Sequence, residues 1–115
     1  IRSLEVIGEA DNSVPLNLEL NIVPCDTDGK ELEGVLVNGP FHVAAGNMDG
    51  SIKTSNLDIR IKESKEGALS KLDKLMLVIK GNSGHTEGAV ALKPEQFVQV
   101  RMKARVPEGV TVTIE

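Results

Sequence analysis

The sequence predicts an all-β chain, an antiparallel β-sandwich of about eight or nine short strands. Three observations carry that expectation. The first is period-two alternation. Between Val14 and Val23 the residues Val14, Leu16, Leu18, Leu20 and Ile22 fall on one side, and Pro15, Asn17, Glu19 and Asn21 on the other. A strand puts such a set on one face, whereas a helix would scatter it around its circumference. The second is punctuation: Asp28-Gly29, Asn38-Gly39-Pro40, Gly46-Asn47-Met48-Asp49-Gly50 and Pro107-Glu108-Gly109 break the chain at short intervals, as turns between strands do. The third is the lack of the strand-helix alternation that a parallel sheet requires.

In chain order, Leu4 to Ile7 reads as a first strand ended by Gly8, and Glu9 to Ser13 as a polar turn. The long alternating strand follows, its Pro15 suited to a strand start or a sheet edge. After the Asp28-Gly29 turn, Leu32 to Val37 and Phe41 to Ala45 are short strands. Ile52 to Lys62 alternates again, with Leu57, Ile59 and Ile61 opposed to Asp58, Arg60 and Lys62.

Residues 64–80 admit two readings. Leu69, Leu72, Met76 and Ile79 have helical spacing, but Leu75-Met76-Leu77-Val78-Ile79 is a compact apolar run between lysines. The preferred reading is at most one short helical turn near Ala68–Asp73, then a strand from Leu75 to Lys80 buried on both faces. Gly81 to His85 reads as a loop, Gly88 to Leu92 as a small-residue strand and Lys93 to Gln96 as a turn. Val98, Val100, Met102 and Ala104 alternate with Gln99, Arg101, Lys103 and Arg105, and Val110 to Ile114 closes the chain as a last strand.

These elements make one domain over residues 1–115, large enough for a core without disulfides. The net charge is −4, with both signs interspersed, so no basic stripe recommends nucleic acid as a partner. The aromatics are two Phe, with no Tyr or Trp, which disfavours recognition by stacking. No apolar run approaches the ~20 residues of a membrane helix. The first residue is Ile1 rather than Met, which suggests a processed or trimmed product.

From Ser70 to Val112 the pattern is more particular. Leu72-Asp73-Lys74-Leu75 leads into a strand and then a Gly-rich loop. Gly88-Ala89-Val90-Ala91-Leu92, Gln96-Phe97-Val98-Gln99-Val100 and Val106-Pro107-Glu108-Gly109-Val110 follow. This resembles the end of β-sandwich domains in exported, often lipid-anchored proteins of gut Bacteroidetes, many without an assigned activity. The resemblance implies an immunoglobulin-like sandwich. It also implies export to the cell surface or periplasm, with any lipid anchor on an N-terminal segment that this chain lacks. It carries no catalytic motif.

Candidate chemistry is sparse. Asp26, Asp28 and Glu31 alternate acidic oxygens around Gly29, a pattern that calcium can use, but the glycine comes too early for an EF-hand loop. An acidic hairpin turn is the plainer reading, and the same holds for Asn47-Met48-Asp49-Gly50. His42 and His85, the two histidines, lack the spacing of a zinc site. Cys25 could act as a nucleophile only beside a base, and otherwise is a small apolar residue at a strand end. Ser70, Ser83 and Thr86 have no nucleophile elbow around them. Lys62, Lys65, Lys71, Lys74 and Lys80 read as a solvated face with edge-guarding lysines.

The expected function is therefore a non-catalytic surface or secreted module for adhesion, assembly or protein interaction. The alternative is calcium-assisted binding of a surface glycan or another small ligand. Neither an enzyme nor a resident cofactor is expected, since activity must be argued from a site.

Overall fold

The computed structural model describes residues 2–82, 92–106 and 111–114. The chain is all-β, in two antiparallel sheets. Its elements are β1 (Ser3–Asn12), β2 (Asn17–Cys25), β3 (Val35–Val37), β4 (Phe41–Val43), β5 (Lys53–Glu63), a single 3-10 turn (Ala68–Lys71), β6 (Lys74–Asn82), β7 (Val98–Arg105) and β8 (Thr111–Ile114). The larger sheet has the order β3-β5-β1-β7-β8 and the smaller the order β4-β2-β6.

Alternation decides what each strand buries. On the larger sheet Val6, Ala10, Leu57, Ile59, Ile61, Met102 and Ala104 point inward and are buried. On the smaller sheet Leu18, Leu20, Ile22 and Val43 meet them across the interface. Polar partners such as Glu5, Glu9, Asp58, Arg60 and Lys103 take the outer face. A slip of one residue would exchange these two sets, so the core fixes the register.

The organising strand is the central strand of the smaller sheet. It begins at Asn17 rather than Val14, because the chain is still turning there: Asn12 Oδ1 accepts from the Val14 amide at 2.8 Å, and the Asn12 amide donates to the Leu16 carbonyl at 3.1 Å. It continues past Pro24 to Cys25. Proline is tolerated because a strand residue's N–H and C=O point the same way. The Pro24 carbonyl accepts from the Leu32 amide at 2.9 Å, so its missing donor faces that loop and not the ladder with β6.

Two expectations about strand ends are corrected. β1 does not stop at Gly8, and Glu9–Asn12 is strand rather than turn. Gly8, Ala10 and Asn12 simply continue the inward set with small or satisfied side chains. A Cβ at Gly8 would sit 3.3 Å from the Leu57 Cβ, which accounts for the small residue within the strand. Gly81 and Asn82 likewise belong to β6 rather than to a loop. The short strands are trimmed, to Val35–Val37 and Phe41–Val43. The expected Ser83–His85 part of the loop, residues 88–91 of the Gly88–Leu92 strand, and the Pro107–Gly109 turn lie outside the described residues.

The ambiguous stretch resolves as preferred, with the 3-10 turn at Ala68–Lys71 followed by a strand. The expected burial of that strand is wrong. Met76 is 49% exposed, Leu77 37% and Ile79 44%. β6 is the last strand of the smaller sheet, and among the described residues it pairs with β2 alone. A continuous apolar run is therefore no proof of two covered faces. The most buried large side chains, Leu20, Leu57, Ile59 and Ile61, come from β2 and β5.

Candidate functional site

The two sheets have unequal widths. Among the described residues the smaller one ends at β6, and Val98 and Val100 of β7 are only partly buried. Leu75, Leu77 and Ile79 oppose Pro24, Ile22 and Leu20 in the β2–β6 register, which puts them on the core side of β6. Leu75 still packs against the core, while Leu77 and Ile79 emerge from it. A cleft of about 430 Å³ opens here between the sheets. Its apolar walls are Leu4, Leu72, Leu75, Leu77, Val100 and Met102, and its polar lining residues are Asp73 and Lys74. A second cavity of about 330 Å³, lined by Leu4, Leu69, Ser70 and Leu72, shares Leu4 and Leu72 with it.

The wall that carries Leu72 is held at both ends. Glu63 Oε2 accepts from the Leu69 amide at 3.1 Å, which ties the 3-10 turn to the end of β5. The Asp73 amide donates to the Cys25 carbonyl at 2.9 Å, which ties the following residues to the end of β2. Ser70 Oγ donates to the Gly67 carbonyl at 2.6 Å and closes the turn. Lys74 Nζ donates to the Thr27 carbonyl at 3.3 Å.

A larger hollow of about 510 Å³ is lined by Arg2, Ser3, Lys62, Glu63, Ser64, Lys65 and Glu66. It mixes charges of both signs, and one Glu63 oxygen is already engaged. The apolar cleft is the better candidate, since ligand sites combine apolar walls with a few polar groups.

Of the acidic residues singled out from sequence, Asp26 is occupied with the turn itself. Asp26 Oδ1 accepts from the Asp28 amide at 2.8 Å and from the Lys30 amide at 3.0 Å. The Asp26 amide donates to the Lys30 carbonyl at 2.9 Å. Asp28 is exposed, and Glu31 forms an isolated bridge with Cys25. Among the described residues no three His, Cys, Asp or Glu side chains come together as a metal site would need. In the second acidic turn, Asp49 Oδ1 accepts from the Ser51 amide at 2.9 Å and from its hydroxyl at 2.6 Å. Those two bonds hold the Asp49 carboxyl below the usual carboxylate range.

Cys25 is buried at the end of β2, and its thiol donates to the Val23 carbonyl at 3.5 Å. His42 is exposed on β4 opposite Glu19, six positions along β2 from Cys25. That is roughly 20 Å of strand, so the two do not meet. His85, Ser83 and Thr86 lie outside the described residues. The five lysines do not form one face: Lys62 is on β5, Lys74 and Lys80 are on β6, and Lys65 pairs with Glu33 at 3.6 Å.

Sequence reasoning missed the cleft. Leu4, Leu72, Val100 and Met102 looked like ordinary core positions. The usable signal was the lysine-flanked run Lys74–Lys80, whose apolar residues outnumber what an edge strand can bury.

Among the described residues the molecule is a two-sheet antiparallel β protein with an apolar cleft between the sheets beside β6. No family model matches the chain, and neither a curated protein nor a solved structure matches it. No helix among the described residues is long and apolar enough to cross a membrane.

Proposed function

We propose that this chain is a non-catalytic protein-interaction module of immunoglobulin-like kind, working at an exported location such as a cell surface or periplasm. The location and the immunoglobulin-like assignment rest on the resemblance of residues 70–112. The interaction reading is carried by one observation: Leu77 and Ile79, next to each other on one face of β6, are large apolar side chains left exposed. Contiguous exposed apolar surface marks interaction sites, whereas single exposed residues do not.

Charge selects the partner. If two copies paired antiparallel through β6 about Leu77, Lys74 of each would face Lys80 of the other. Like charges directly opposite destabilise a strand pair, and lysines on exposed strands guard against self-association. A favoured partner is an extended segment with carboxylates six residues apart and apolar residues between, spaced to meet Leu75, Leu77 and Ile79. Strand addition of this kind draws affinity from the backbone and specificity from alternate side chains.

Selection from a displayed library of random peptides tests this. Enriched sequences should show alternating apolar residues between two acids, and their binding should be lost in the double variant Leu77→Lys, Ile79→Lys. No enrichment, or equal enrichment on the double variant, would sink the reading.

A further inference from the structure

We propose that Asn38-Gly39 is a site of self-modification, where the side-chain amide converts spontaneously to a carboxylate and thereby releases β3 from β5. The site is independent of β6 and of the interaction reading.

Of the asparagines in the chain, Asn38 is the one followed by glycine. The reaction begins with attack by the following residue's amide nitrogen on the asparagine Cγ, and a glycine has no Cβ to obstruct it. Leu, Ile and Met follow Asn17, Asn21, Asn47 and Asn56. Asn12 and Asn82 precede serine, and Asn12 is fully buried with its side chain engaged. Asn38 and Gly39 are both exposed.

The fold imposes each half of this labile pair. Gly39 has φ +122, and a Cβ there would lie 3.0 Å from Phe41 Cε2, so any other residue is strained. Asn38 extends the β3–β5 ladder beyond Val37. Its backbone amide donates to the Arg60 carbonyl at 3.3 Å, and its Oδ1 accepts from the Arg60 amide at 2.7 Å. Its Nδ2 donates to the Asp58 carbonyl at 2.9 Å. A short side chain carrying both a donor and an acceptor is needed for the last two bonds, and asparagine supplies it.

In the reaction a bond forms between the Gly39 nitrogen and Asn38 Cγ, the Cγ–Nδ2 bond breaks, and ammonia leaves with the proton of the Gly39 amide. Water then opens the resulting succinimide at either carbonyl, which gives aspartate or isoaspartate. Cyclisation requires Asn38 to leave Arg60 and Asp58. β3 has three residues and lies at the edge of its sheet, where local opening is cheap. The folded chain therefore reacts more slowly than the unfolded one, but at the same residue. A carboxylate only accepts, so after conversion the Asp58 carbonyl faces an oxygen instead of a donor. The isoaspartate form also lengthens the backbone and displaces the register.

The test is incubation of the folded chain at mildly alkaline pH beside a sample unfolded in urea, followed by peptide mapping with mass spectrometry. Acid and isoacid should appear at position 38 ahead of every other asparagine in both samples, and more slowly in the folded one. The modified fraction, separated by ion exchange, and the variant Asn38→Asp should both show faster amide hydrogen exchange at Val35–Val37 and at Arg60. Their folding equilibrium constants should fall by about tenfold or more. Earlier conversion at another asparagine, or none at position 38 in the folded chain while the unfolded chain converts, overturns the site. Unchanged exchange at those amides in either species overturns the release of β3.

Discussion

Asp11 and Arg101, ninety residues apart, are joined across the outer face of the larger sheet. The register pairs Arg101 with Glu9 and Asp11 with Gln99, so the guanidinium reaches diagonally along the ladder. It donates to Asp11 through both terminal nitrogens and to Glu9 Oε2 at 3.0 Å. Thr54 Oγ1 from β5 donates to the same Asp11 carboxylate at 2.7 Å. One carboxylate thus ties β7, β1 and β5 together.

A pH dependence follows from that network. The Arg101 hydrogen bonds, then that of Thr54, hold the Asp11 carboxyl below its ordinary value of 3.8. A depressed native pKa means that the unfolded chain takes up the proton first. The stabilisation is therefore complete above the unfolded value and is lost as pH falls through the native one. Arg101 is raised by the same contacts and stays charged throughout. Urea titrations from pH 6 downward should show the native chain losing stability below about pH 4. Asp11→Asn should be less stable at pH 6 and should flatten that acid slope. An unchanged slope would assign the acid sensitivity to other carboxylates.

Asn12 should be the least replaceable polar residue. It is fully buried, yet every polar group of its side chain is used. Its amide donates to the Leu16 carbonyl at 3.1 Å and the Ala44 carbonyl at 3.0 Å, and its oxygen accepts from the Val14 amide at 2.8 Å. Asn12→Leu strands three backbone groups and should cost about 3 kcal/mol in urea denaturation at neutral pH. Asn12→Asp points a carboxylate at two carbonyl oxygens and should cost more at pH 7 than at pH 4, where protonation restores a donor. Equal losses at the two pH values would mean that Asn12 acts by shape alone.

What could be read in advance divides along physical lines. Leu18, Leu20 and Ile22, and Leu57, Ile59 and Ile61, announce their faces because half-buried strands impose a period of two. Asn12 does not announce itself. Glu-Ala-Asp-Asn-Ser has the composition of a turn, and only partners such as Ala44, far along the chain, make it the end of a strand. The cleft fails for a related reason. Leu75 to Ile79 tells that the segment is apolar, but coverage depends on the strand's place in its sheet and on how the two sheets are set against each other, which no local pattern encodes. Asp26 was legible as turn chemistry because its partners, Asp28 and Lys30, are near neighbours in sequence.

Two glycine substitutions separate crowding from backbone strain. A Cβ on Gly46 would lie 2.6 Å from the Asn12 carbonyl oxygen and 2.7 Å from the Ser13 carbonyl carbon, both backbone atoms that cannot swing away. Gly50 has φ +89 with nothing within 4 Å of its Cβ position. Gly46→Ala should cost about 2–3 kcal/mol through overpacking, and Gly50→Ala about 1–2 kcal/mol through its left-handed backbone. A double-mutant cycle with Asn12→Ala distinguishes them. Gly46→Ala should be non-additive with it, because both disturb the same close approach, and Gly50→Ala should add simply.

The contrast between β2 and β6 gives the sharpest check on the architecture. Leu20 and Ile79 are direct neighbours in the ladder and point to the same side. Leu20 is fully buried, whereas Ile79 is 44% exposed. Truncation to alanine should therefore cost about 2–5 kcal/mol at Leu20, by lost transfer energy plus an unfilled cavity. At Ile79 the same change removes atoms already half in water and should cost under about 1.5 kcal/mol. Leu18→Asp, on the same face at 6% exposure, should abolish folding, because an unpaired carboxylate would enter the core. Asn17→Asp should be nearly silent, since the Asn17 oxygen that accepts from the Ala45 amide at 3.0 Å is retained. Chemical denaturation of the four variants reads all of this. Comparable losses at Leu20 and Ile79 would mean that the open side of the sandwich is covered in solution, and the cleft with it.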